Sequence, residues 1–183
     1  MKKTVLIFGL LSGAVAAALM FLTLPFADRI GFERGLIVGY TTIILSFLLV
    51  FFGIRSYREN IGGGEISFGR AFAVGILITL ISCICYVVAW EILYFKFMPD
   101  FADKYAAHAI EKLKAAGATA AAIQAQMDEA KNLKRILDNP FLNAAATFIE
   151  PFPVGLIMTL VSALILRKRK KSSTGESAVN AAA

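Results

Sequence analysis

Four stretches of this chain are apolar almost without interruption: residues 4–24, 35–54, 71–95 and 141–166. Each reaches the ~20 helical residues that cross roughly 30 Å of hydrocarbon at ~1.5 Å per residue. Inside a bilayer every backbone amide must pair within its own segment, so these stretches predict helices. The period-two alternation of a membrane β-barrel is absent from them. The first two carry no charge, whereas the third and fourth each carry one carboxylate, Glu91 and Glu150. The pattern predicts an all-α polytopic membrane protein with four transmembrane helices.

Residues 99–139 break this pattern, being charged, alanine-rich and only weakly apolar. Asp100 is placed to cap a helix running to about residue 116, where Gly117 ends it. Thr119 is placed to open a second helix that Asn139-Pro140 stops. Ile123, Met127, Ala130, Leu133 or Lys134, and Leu137 form one narrow apolar stripe, and Tyr105, Ala109, Ile110 and Leu113 offer a matching face. An extracytoplasmic helical hairpin between spans three and four follows. It is too thin to hold a core alone and needs the membrane domain or a partner to lean on. Residues 1–171 thus read as one membrane domain with this insertion. The small, polar, unpatterned tail 172–183 reads as disordered.

The short connection 25–34 predicts that spans one and two pack as an antiparallel pair. Gly9-x-x-x-Gly13 and Gly35-x-x-x-Gly39 have the spacing for close helix approach. Packing within the monomer is the preferred use, and homodimerisation the other. In the loop 55–70, Gly62-Gly63-Gly64 invites a phosphate-loop reading, but the Gly-Lys-Ser/Thr ending and a preceding strand are missing. A turn with Ser67 capping the third helix accounts for the same residues.

Composition agrees with the membrane reading: 58% of residues are hydrophobic and the mean hydropathy is +0.70. The net charge of +6 takes its meaning from where the charges fall. With the amino terminus cytoplasmic, the inner segments 1–3, 55–70 and 167–183 hold ten Lys/Arg and three acids. The outer segments 25–34 and 96–140 hold nine and eight. Basic residues crowd the inner span ends, which places both termini in the cytoplasm. Nucleic acid is therefore not an expected partner; the bilayer and its anionic headgroups are. The run Arg167, Lys168, Arg169, Lys170 and Lys171 fixes orientation and meets those headgroups, at about 1 kcal/mol per residue. The first span exceeds the ~7–15 apolar residues of a signal core and reads as an uncleaved anchor. Cys83 and Cys85 are two apart, about 200° round a helix, and fit apolar filling better than a disulfide or metal.

Candidate chemistry rests on the carboxylates. Counted from Arg70 and back from Arg167, Glu91 and Glu150 lie about 31 and 24 Å along their spans, both near the outer boundary. If they face each other, repulsion and burial favour an ion- or ligand-linked site. Structural roles compete: Glu150 can cap the helix that Pro151 begins, and Glu91 can reach the interface beside Trp90 and Tyr94. Pro151 and Pro153 each lack a donor and should bend or break the fourth span. His108, the sole histidine, has no second ligand nearby, so no metal is expected. No nucleophile sits in a recognisable motif with a base, so neither an enzyme nor a cofactor is expected.

Several ordered motifs then carry a resemblance: Phe52-Gly53-Ile54-Arg55-Ser56-Tyr57-Arg58; Gly63-Gly64-Glu65-Ile66-Ser67-Phe68-Gly69-Arg70-Ala71; Tyr86 through Trp90; and Glu150-Pro151-Phe152-Pro153-Val154-Gly155-Leu156-Ile157 with Leu160-Val161-Ser162-Ala163. Over roughly residues 4–170 the chain resembles the bacterial integral membrane family catalogued as domain of unknown function 4199. The resemblance implies four membrane helices with an outer insertion between the third and fourth; it brings no activity, substrate or catalytic residue with it. A non-enzymatic scaffold or accessory subunit, engaging a partner or forming homo- or hetero-oligomers through helix faces or the outer hairpin, is the preferred function. The alternative is a proton- or cation-linked carrier using Glu91 and Glu150, and the third a membrane enzyme acting on a lipid-linked substrate.

Overall fold

The computed structural model describes residues 1–23 and 26–168, apart from the side chains of residues 27–30, 32 and 33. Among the described residues seven α-helices follow one another: α1 (Lys2–Thr23), α2 (Ala27–Asn60), α3 (Phe68–Ile92), α4 (Phe101–Ala115), α5 (Ala120–Leu137), α6 (Pro140–Ile149) and α7 (Pro151–Leu166). A π-helical turn, Leu93–Phe97, extends α3. Four segments are long and apolar enough to cross a membrane: Lys2–Thr23, Arg34–Asn60, Phe68–Phe97 and Pro140–Leu166, the last made of α6 and α7.

Two connections are shorter than the hydropathy pattern implies. The segment read as a loop from residue 25 is helical from Ala27 and interrupted only at Gly31, whose φ of 70° and ψ of 166° suit glycine alone. At its other end α2 continues past Arg55, because Arg55 pairs with Glu59 one turn on and Asn60 bonds back to Ser56. The loop is thereby cut to a few residues, with Gly63 and Gly64 at positive φ and Ser67 Oγ accepting from Arg70 N. Ile66 and Lys168 exchange two backbone hydrogen bonds of 3.0 Å, tying this turn to the end of α7.

Around the bundle the spans run α1, α2, α7, α3, with α2 and α3 touching across the middle. The core face of α2 recurs at helical spacing as Ile43, Phe47, Val50, Ile54 and Tyr57, and α3 answers with Ala71, Val74, Ile78, Cys83 and Tyr86. The opposite faces, such as Leu10, Leu45, Ile84 and Ile165, are exposed, which lipid rather than water can cover.

The glycine spacings are used differently from the sequence expectation. Gly9 and Gly13 lie in contact with Ile81 and Cys85 of α3, where any added Cβ would collide. They therefore seat α1 on its parallel neighbour α3, not on α2. Gly35 and Gly39 have nothing within 4 Å of an added Cβ, so they make no close helix contact in the monomer.

Beyond the bundle end, α4 and α5 pack on each other, joined by the turn at Gly117. Lys134 Nζ donates to both Asp103 oxygens at 2.6–2.7 Å. A small cluster of Tyr94, Ala102 and Leu137, flanked by Trp90, Phe101 and Leu133, seats the pair on the end of α3. Asp100 is the N-cap residue of α4 as expected, but its side chain pairs with Lys104 at 2.9 Å and makes no cap bond, while the Thr119 side chain does cap α5. Asn139 opens α6 as well as following α5, its Oδ1 accepting from Phe141 N and Leu142 N with Pro140 in the first turn.

Candidate functional site

Polar groups of α1, α6 and α7 bond to α3 in three tiers. At mid-bundle, Ser12 Oγ of α1 donates to Ser46 O of α2 at 2.8 Å and shares a 2.9 Å bond with Ser82 Oγ of α3. In the second tier, Thr79 of α3 and Thr159 of α7 share a 3.0 Å hydroxyl bond. Around that bond the helices interlock: Gly75 sits against Thr159, and Gly155 sits against Thr79 and Phe47. Small residues at these positions let the two backbones come close enough for the hydroxyls to meet.

The third tier is a ladder of aromatic donors one turn apart on α3: Tyr86, Trp90 and Tyr94. Tyr94 Oη donates to Asp138 Oδ1 at 2.8 Å, and Trp90 Nε1 to Asn143 Oδ1 at 3.0 Å. Tyr86 Oη reaches Glu150 Oε2 at 3.5 Å, the outer limit of a hydrogen bond. Asn143 is fully buried and is the hub: its Oδ1 also accepts from Thr147 Oγ1 at 3.1 Å, and its Nδ2 donates to Leu137 O at 2.9 Å. One side chain thus binds α3, the end of α5 and α6 together.

The two intramembrane carboxylates have different surroundings. Glu150 occupies the single residue between α6 and α7, followed by the buried Pro151 and the exposed Pro153. It makes no side-chain cap to α7, contrary to the capping expectation, and its one described bond is to Tyr86. Glu91 lies five positions beyond Tyr86, about 140° round α3. No hydrogen bond links it to Glu150, and its Oε1 is buried without a partner. Among the described bonds, Glu150 meets Tyr86 and Glu91 Oε1 stands apart.

Outside the spans, two charge pairs favour the ionised form of a member. The hydrogen bond from Lys134 to Asp103 holds the lysine above its ordinary value, and Lys104 holds the Asp100 carboxyl below its own. At the opposite end, Arg58 Nη1 donates weakly to Leu166 O at 3.4 Å while its Nε is buried and unpaired. Arg167 and Lys168 are exposed beside it; Arg169, Lys170, Lys171 and the tail lie outside the described residues. Cys83 is buried in the core, and Cys85 packs on Gly13. His108 is exposed on α4, and among the described residues no three His, Cys, Asp or Glu side chains gather as a metal site.

Sequence reasoning singled out neither Asn143 nor the interlock of Thr79 and Thr159. The signals were present: a lone asparagine in an apolar run, and small residues four apart in Gly75-x-x-x-Thr79 and Gly155-x-x-x-Thr159.

The family model described as Protein of unknown function (DUF4199) matches residues 7–168. No curated protein and no solved structure matches the chain.

Proposed function

We propose, from the premise that this chain belongs to the DUF4199 family, that it is a non-enzymatic membrane scaffold or accessory subunit. Its bundle anchors the α4–α5 hairpin at the membrane surface for a partner to engage. The observation that carries this reading is how the buried hydroxyls are spent. Ser12, Ser82, Thr79 and Thr159 bond across helices to one another or to backbone, and the Ser46 hydroxyl turns back to Ile43 O within α2. A transport path needs such groups facing water or cargo instead. The thin, largely exposed α4–α5 pair supports the same reading, since its apolar stripe is only partly covered at Ile123 and Met127. The distribution of basic residues supports both termini in the cytoplasm of a bacterial inner membrane, with α4–α5 outside.

Purification at native expression level in mild detergent tests this. A partner is expected in fixed stoichiometry, lost when residues 101–137 are replaced by a short flexible linker. A stable monomer with nothing attached overturns the reading.

The unpaired Glu91 oxygen favours one second reading, a proton- or cation-linked carrier. It predicts a pH-dependent flux in proteoliposomes that Glu91→Gln or Glu150→Gln abolishes with folding intact. Equal flux in parent and variants across pH eliminates it.

A further inference from the structure

Glu91 sits on the face of α3 that the rest of the bundle leaves open. Ile84, Val88 and Phe95 share its stripe at spacings of seven, three and four residues, and are 57%, 53% and 39% exposed. Ile92 beside them is 44% exposed. Glu91 is itself half-buried, with Oε1 shielded and unpartnered. Among the described residues no ion pair joins it to Lys96, the nearest cation along the chain. Such a group within a span is costly unless a donor or opposite charge meets it, and intramembrane charges are typically paired with one another.

We propose that this face of α3 docks a second membrane-spanning helix presenting a lysine or arginine at the depth of Glu91. Ile84, Val88 and Ile92 supply the apolar seam, and Glu91 accepts the partner's charge-assisted hydrogen bond. Pairing relieves two isolated charges at once, because the partner's cation is as unwelcome in lipid as the carboxylate. The complement is a different chain, not a second copy: a two-fold contact along this stripe sets Glu91 against Glu91. The inference rests on the scaffold reading and names a surface and a chemistry for it.

The direct test uses defined probes. The full chain is reconstituted with a synthetic polyleucine transmembrane helix carrying one lysine at the depth of Glu91, or leucine there, and association is read by energy transfer. The lysine helix is expected to associate roughly three- to tenfold more strongly. Glu91→Leu, which removes an orphan group and so keeps the fold, should erase that preference. Val88→Trp, which blocks the seam but retains the carboxylate, should weaken binding of both helices. Equal association of the two helices with the parent, or a lysine preference surviving Glu91→Leu, overturns the proposal.

A second arm places a photo-crosslinking residue at Val88 or at Met127 of α5 in native membranes. An adduct at Val88 that disappears in Glu91→Leu supports the proposal. A Val88 adduct of twice the chain's mass overturns the foreign partner. Adducts at Met127 alone overturn the α3 site while leaving the scaffold reading intact, and adducts at neither position remove both.

Discussion

At the scale of single residues, the chemistry of this molecule is concentrated in side chains that look unremarkable in sequence. Asn143 satisfies three buried groups at once, so Asn143→Ala strands the Trp90 Nε1 donor, the Thr147 hydroxyl and the Leu137 carbonyl. Removing one partner of a buried bond costs about 1–3 kcal/mol, and thermal unfolding in detergent should show a loss of that size or somewhat above. The conservative Asn143→Gln should recover little, because the added methylene displaces the amide within a fully buried site. Sequence made Glu91 and Glu150 visible as residue types at an approximate depth, since both follow from hydropathy and counting. The partner of Glu150 was not visible. Tyr86 and Glu150 are 64 positions apart, and which side of α3 meets α6 depends on packing that no local pattern encodes.

At the scale of elements, the spans were legible and their neighbours were not. Four apolar runs give four helical spans, the fourth divided into α6 and α7, because bilayer thickness and backbone satisfaction leave no other solution. The glycine motifs marked close approach without naming the partner: Gly9 and Gly13 seat α1 on α3, and a second close interlock uses Gly75 and Gly155, not Gly35 and Gly39. Gly155→Leu should therefore drive a side chain into Thr79 and Phe47 and cost at least the ~1–3 kcal/mol of an overpacked core, read from the denaturation midpoint. Gly39→Leu, with open space around it, should leave that midpoint nearly unchanged. The α4–α5 pair responds to pH instead. Lys134 is raised by Asp103, so its support is complete below the ordinary lysine value of 10.5 and fades as pH climbs through the folded value. Asp100 is lowered by Lys104, so its support holds above the ordinary 3.8 and fades as pH falls through the folded value. Both pairs are exposed and salt-screened, so hydrogen exchange in α4 and α5 should quicken modestly at either extreme and in high salt, while α3 and α7 stay protected.

At the scale of the whole molecule, two ends of different character define how the protein sits in a membrane. One end gathers Met1, the Gly62–Gly64 turn, Arg58 and the start of the basic run, with the Ile66–Lys168 bridge closing it. The other carries α4 and α5, docked through Tyr94, Ala102 and Leu137. An even number of crossings puts the first end on one side, and the crowding of Lys and Arg there favours the cytoplasm. The arrangement predicts a clean split in labelling. In a chain whose Cys83 and Cys85 are replaced by alanine and serine, a cysteine at Gly63 or Lys168 should react with a membrane-impermeant maleimide only after cells are opened. A cysteine at Gly117, exposed at the far turn between α4 and α5, should react in cells whose inner membrane is intact. Replacing Arg167, Lys168, Arg169, Lys170 and Lys171 by glutamine should weaken this bias without reversing it, because Lys2, Lys3, Arg55, Arg58 and Arg70 remain on the same side. Labelling of Gly63 and Gly117 from one side would require an odd number of crossings, and with it a bundle other than α1, α2, α3 and the joined α6–α7.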